Sequence, residues 1–278
     1  MTLSLFHYSF IRNAFLAGSF VAITAGFIGY FLATRGLVFA GHALSHIGFA
    51  GAAGALLLGT DPIFGLFSFT IIAGIGIGVS GENLREEDMN IGIIMMLMLG
   101  LGALFISLYS GYAERAYSIL FGTILGISRT DVLVTVLFGV AAVAVLAAIF
   151  RPLLFASVDP EAAAACGVPV RLLGILFLVL VAIAVSMSAK VVGVLFVFTL
   201  LVGPAATAMR ITRRPGAAAA LSIGLAIVYT WSGIFLAAVS KWPVSFYIAS
   251  ISFAAYLLVR LSEPVIAKTR SLSHERSA

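Results

Sequence analysis

The chain has 278 residues, 62% hydrophobic and only 10% charged, with a mean hydropathy of +1.17. Soluble domains carry charge on roughly a quarter of their residues, so this composition excludes one and marks an integral membrane protein. The net charge of +5 does not signal nucleic acid, because the basic residues stand singly or in pairs at the ends of apolar runs, where they report topology.

Long unbroken apolar runs, rather than alternating segments of about ten residues, exclude a membrane β-barrel and predict an all-α, polytopic bundle of about eight to nine spans. Taken in order, the runs fall at 10–33, 37–58, 62–81, 90–110, 131–150, 171–188, 191–212, 217–239 and 243–261. The whole chain, 1–278, reads as a single transmembrane domain with a tail at 262–278. Arg12 follows the first apolar residues and no small-residue cleavage site closes a short apolar stretch, so the first span is expected to be retained. The stretch 112–127 is less apolar and carries Glu114 and Arg115; it reads as a re-entrant or surface helix.

The second run holds Gly41-His42-Ala43-Leu44-Ser45-His46. Histidines at i and i+4 share one helical face, the spacing at which a helix offers two imidazoles to one divalent ion. Ionisable groups inside a span are costly and face a cavity or a pathway. The alternative is a neutral, hydrogen-bonded packing pair. Two ligands alone make a weak site, which suits passage better than storage. Just beyond, Gly48/Ala52 and Gly51/Ala55 place small residues at the spacing that lets helices approach closely. The Met95, Met96 and Met98 group reads as core or lipid-facing filler.

The loop after residue 150 carries a short helix with two well-formed ends. Asp159 caps it, Pro160 takes the first helical position and Glu161 complements the dipole. Four alanines, Ala162 and Ala163 among them, propagate it before Gly167 ends it. At roughly 10 Å it cannot span, and its small apolar face argues for docking. Further on, Gly203-Pro204 predicts a kink or break, because proline removes the bond to the carbonyl of Leu200.

Short cytoplasmic loops collect Lys and Arg. With the N-terminus outside, the inner side holds Arg35, Arg85, Arg151, Arg171, Arg210, Arg213, Arg214, Arg260, Lys268, Arg270 and Arg276, eleven in all. The outer side holds five, Arg12, Arg115, Arg129, Lys190 and Lys241, so N-out, C-in is expected. There is no Gly-Lys dipeptide and hence no Walker phosphate loop. The single cysteine, Cys166, excludes an internal disulfide and a multi-cysteine metal site.

Five blocks, in order, resemble one family: GHALSHIGFAG, EDMNIGI, LFGTILGIS, DPEAAAACGVPV and VVGVLFVFTLLVGPAATA. They are similar to the membrane-permease subunit of bacterial ABC importers for zinc, manganese and iron, across nearly the whole chain. The resemblance implies a multi-pass protein of the bacterial cytoplasmic membrane that is not itself an enzyme and holds no permanently bound cofactor. It further implies a pore formed with a second copy of the chain, surrounded by lipid, driven by a separate cytoplasmic ABC ATPase and fed by an extracytoplasmic metal-binding protein. Helix 159–167 would then be the coupling helix, with Asp159, Glu161, Ala162, Ala163 and Gly167 contacting the ATPase. His42 and His46 would be metal ligands, and Gly203 and Pro204 a helix break near the path. The family commonly has an aspartate where His42 stands. Imidazole suits zinc and carboxylate suits manganese, so the substitution moves the expected cargo toward zinc. A permease for a metal chelate would want a wide, uncharged cavity without a histidine pair, and an intramembrane metalloenzyme would need more ligands and a general base.

Overall fold

The computed structural model describes residues 8–80, 84–111, 120–122, 127–194, 196–240 and 242–275. Among these it shows eleven helices and no strand, as suits a chain of long apolar runs, because a helix satisfies its own backbone without water. They are α1 Ser9–Thr34, α2 Val38–Leu57, α3 Pro62–Ser80, α4 Leu84–Leu108, α5 Arg129–Ala148, α6 Phe150–Val158, α7 Pro160–Ala165, α8 Val170–Val192, α9 Val197–Ile211, α10 Pro215–Ser240 and α11 Val244–Glu275. Seven are long and apolar enough to cross a bilayer: α1, α3, α4, α5, α8, α10 and α11. The 20-residue α2 carries His42 and His46 and falls outside that set. The 15-residue α9 is about 22 Å long at 1.5 Å per residue, short of the ~30 Å hydrocarbon core. The tail expected at 262–278 continues α11 as helix to Glu275.

The bundle is organised around α1, which packs on α10, α9, α5 and α8. Its apolar window is 72% buried and that of α8 67%, against 11% for α4, so α1 and α8 form the centre and α4 a peripheral wall. Without water to drive apolar faces together, close packing does the work. Gly29 lies against the backbone of Leu201, and Gly51 against Gly65 of α3. The small-residue spacing at Gly48 and Gly51 thus faces α3, with Thr70 and Leu66 opposite Gly48. Buried hydroxyls tie helices crosswise: Ser222 donates to the Gly26 carbonyl at 2.7 Å.

Lateral contacts sort the helix ends into two groups. At one end the Arg171 guanidinium donates to the Val79 carbonyl at 3.0 Å, and Arg35 lies beside Gly174. The guanidinium of Arg35 stacks 5.8 Å from the Phe177 ring centroid. At the other end Asn13 donates to the Ile127 carbonyl at 3.0 Å. Ser128 and Asp131 close a full capping box on α5. By the positive-inside rule the first, basic end is the one expected to face the cytoplasm.

Candidate metal pathway

The run 191–212 is not one continuous span with a break at its proline. Helix α9 runs through Gly203 and Pro204 without interruption, its Thr207 hydroxyl donating to the Gly203 carbonyl at 2.8 Å. The chain breaks earlier, between α8 and α9 at 193–196, where Gly193 adopts φ +83° and Phe196 donates to the Gly193 carbonyl at 3.1 Å. Val191 adjoins Gly18 and Leu201 adjoins Gly29. The break therefore lies at a depth between residues 18 and 29 of α1, well inside the bundle. Non-helical backbone at that depth is tolerated only where protein or a water-filled cavity surrounds it.

The histidine pair sits on the basic side of this break. Gly41 packs on the Leu32 side chain, which sets the start of α2 level with the inner turns of α1, and His46 stands one turn further outward. The His42 ring lies 4.8 Å, centroid to centroid, from Phe198, the second residue of α9. The two imidazoles are edge to face, 4.5 Å apart, and their Nε2 atoms converge to 3.2 Å. With both rings neutral, one Nε2–H donates to the other Nε2. The separation also fits a shared ion: two nitrogens at 2.0–2.1 Å from a tetrahedral zinc stand about 3.3–3.4 Å apart. If both Nε2 atoms ligate, each Nδ1 must carry the proton, and metal-bound histidines ordinarily hand that proton to an acceptor. Both Nδ1 atoms here are buried without a partner. Among the described residues no third His, Cys, Asp or Glu joins the pair. Two converging imidazole nitrogens supply two of the four donors a tetrahedral ion takes.

The other expected site residues lie at the basic end. Asp159 caps α7, its Oδ1 accepting from the Ala162 N–H at 2.9 Å. Pro160 occupies the first turn with Glu161, and Gly167, at φ +81°, stops the helix as Val168 donates to the Ala163 carbonyl. Asp159, Glu161 and Gly167 are exposed and Ala162 half-buried, but Ala163 is fully buried against its own chain. The exposed small face is Ala164, Ala165 and Cys166. The re-entrant segment expected at 112–127 is described only at 120–122 and 127. There Ile127 accepts from Asn13 and Phe121 faces Phe196 at 6.3 Å. EDMNIGI opens α4, where Asp88 and Met89 are exposed. The break itself escaped the sequence reading, since VVGVLFVF is apolar throughout; an isolated glycine was its only signal.

The model of the ABC 3 transport family matches residues 7–263. The chain belongs to that family. It is 31% identical over 84% of its length, and 81% of the other, to the manganese transport system membrane protein MntC of Halalkalibacterium halodurans. It is 30% identical to the manganese import system permease protein ScaB of Streptococcus gordonii, covering 87% and 92% of the two chains. Among solved structures, PsaBC from Streptococcus pneumoniae in complex with Fab superposes with a TM-score of 0.83 at 28% identity, covering 93% and 95%. A second solved ABC transporter, in an inward-facing conformation, at 19% identity and a TM-score of 0.72 over 90% and 85%, shares the fold. The protein is a permease subunit of a metal-ion ABC importer, a multi-pass protein of the bacterial cytoplasmic membrane. It is not an enzyme; in this family the ATPase is a separate subunit.

Proposed function

We propose that this permease conducts zinc, with His42 and His46 as its transient ligands inside the membrane. The observation that carries the reading is the convergence of two imidazole nitrogens to 3.2 Å on one face of α2, a donor pair better matched to zinc than to manganese. Two copies of the chain line one pore within the lipid. The ATPase docks on the exposed face of α7, and a metal-binding protein delivers the ion at the opposite end. No permanently held cofactor takes part, and the ion is cargo. A second reading, manganese, is favoured by the names of the relatives MntC and ScaB.

The test is competitive uptake into proteoliposomes holding the permease and its ATPase, with the binding protein and equal zinc and manganese outside. ATP-dependent uptake in favour of zinc supports the first reading. Preference for manganese removes it in favour of the second. Failure to take up either ion removes both.

A further inference from the structure

We propose that Phe198 is a positioning residue of the metal site: its ring, carried by the first turn of α9, holds the His42 imidazole in the plane that turns Nε2 toward Nε2 of His46. The proposal rests on the reading of that pair as ligands of the transported ion.

The two imidazoles lack the usual means of orientation. A ligating histidine is ordinarily fixed by a hydrogen bond from its other ring nitrogen to a carboxylate, a carbonyl or water. Nδ1 of His42 and Nδ1 of His46 are both buried without a partner. The terminal torsion of a histidine is broad, so the ring rocks about the Cβ–Cγ bond unless packing stops it. Rocking matters because the Nε2 lone pair lies in the ring plane and swings with it. A two-ligand site therefore keeps its geometry only where neighbouring side chains lock the rings.

Two ring contacts supply that lock on His42. The His46 ring meets it edge to face at 4.5 Å and 87°, and the Phe198 ring at 4.8 Å and 68°. Both separations stand at the short end of the ~4.5–7 Å that such pairs adopt. The His46 contact comes from the same helix, one turn on, and depends on a ring that is itself without an Nδ1 partner. The Phe198 contact comes from a second helix and from a ring with no nitrogen to satisfy. Packing thus sets the plane of His42, and the attraction between the two Nε2 atoms at 3.2 Å sets which edge of that ring faces His46.

The surroundings of Phe198 separate this role from ordinary filling of the core. Phe196, two residues earlier, is half-buried and packs against the apolar core, whereas Phe198 is half-buried and takes no part in that packing. Among the described residues its one ring partner is His42. Its place is set by its neighbours in the chain. Val197, Leu200 and Leu201 are fully buried, and the Val197 N–H donates to the Gly193 carbonyl at 3.2 Å. The first turn of α9 is anchored by the face that carries those three residues, and the Phe198 ring projects from its flank toward α2. The ligand geometry on α2 therefore depends on a residue of another helix.

The experiment uses the complete complex of permease and ATPase in lipid nanodiscs, without ATP. Phe198→Leu keeps an apolar side chain and removes the ring, whereas Phe198→Tyr keeps the ring. Magnetic resonance of ring-labelled histidine reads the order of the His42 imidazole with no metal present, its signal being identified by its loss in His42→Ala. The ring should be ordered in the parental and Phe198→Tyr complexes and mobile in Phe198→Leu. Equilibrium titration with zinc should give a Kd raised at least threefold by Phe198→Leu and within twofold of the parental value for Phe198→Tyr. An ordered His42 ring in Phe198→Leu overturns the proposal, and lowered thermal stability alongside that ordered ring makes Phe198 a packing residue only. A parental zinc Kd in Phe198→Leu, with the ring mobile, overturns it as well. If Phe198→Leu fails to assemble, Phe198→Met takes its place in both measurements. Parental zinc binding no tighter than that of His42→Ala would instead remove the reading of the pair as ligands, while the ring measurement still decides whether Phe198 orients His42.

Discussion

Thr70 of α3 and Ser186 of α8 place their hydroxyl oxygens 2.9 Å apart in the buried interior. The Thr70 hydroxyl already donates to the Leu66 carbonyl at 2.8 Å, so the proton between the two side chains belongs to Ser186. This bond ties α3 to the central α8. Removing it with Ser186→Ala should cost about 0.6 kcal/mol, the average for hydrogen bonds between membrane helices. Thermal unfolding of the detergent-purified permease checks this, and metal uptake should be unchanged. Thr70→Val should cost more, because it strands the Ser186 proton in a buried site.

Alanine at His42 or His46 should lower zinc uptake at least tenfold with membrane abundance and ATPase assembly intact, because alanine keeps the helix and removes one of two converging ligands. His42→Asp separates the path from the cargo preference. It supplies a harder oxygen ligand, so manganese uptake should rise relative to zinc. Parental zinc transport by both alanine variants would make the pair structural. Lost transport by the alanines, with an unchanged manganese-to-zinc ratio for His42→Asp, would move selectivity to the binding protein.

Aspartate scanning of α7 should give a face-dependent result. Ala163 is buried inside its own chain, whereas Ala164 and Ala165 are exposed. Ala164→Asp should therefore abolish co-purification of the ATPase while leaving the permease inserted and folded, since an unpaired charge would be trapped in the interface. Ala163→Asp should instead lower the stability of the permease itself. Retained ATPase binding by Ala164→Asp would remove α7 as the docking element.

Much of this was legible because it rests on local rules. The His42/His46 spacing, the two-ended capping of Asp159 to Gly167 and the positions of the long apolar runs each follow from residues within a few positions of one another. Three features were not legible, each for a physical reason. Which face of α7 is turned inward cannot be read from six residues dominated by alanine. Pro204 reads as a breaker, yet within a bundle neighbouring helices and side-chain hydroxyls re-satisfy the freed backbone groups, and α9 continues through it. The true break, between α8 and α9, lies against Gly122, remote in sequence, and no periodicity in VVGVLFVF reports a partner that far away.

The placement of the two ends remains the premise on which the whole pathway is oriented, and it can be tested independently of transport. Gly216, near the start of α10, is exposed, and a β-carbon there meets nothing within 4 Å. A cysteine therefore fits without disturbing the helix. Trp242, just past the far end of α10, is 59% exposed; it meets the Phe246 ring edge-on and stacks on that of Tyr247, in keeping with an interfacial aromatic belt. Arg210, Arg213 and Arg214 flank the Gly216 end, and the positive-inside rule holds them in the cytoplasm. In a Cys166→Ser background, Trp242→Cys should react with an impermeant thiol reagent in intact cells, whereas Gly216→Cys should react only after permeabilisation. The opposite pattern would place α7 outside. It would thereby overturn the proposed positions of the ATPase and the binding protein together.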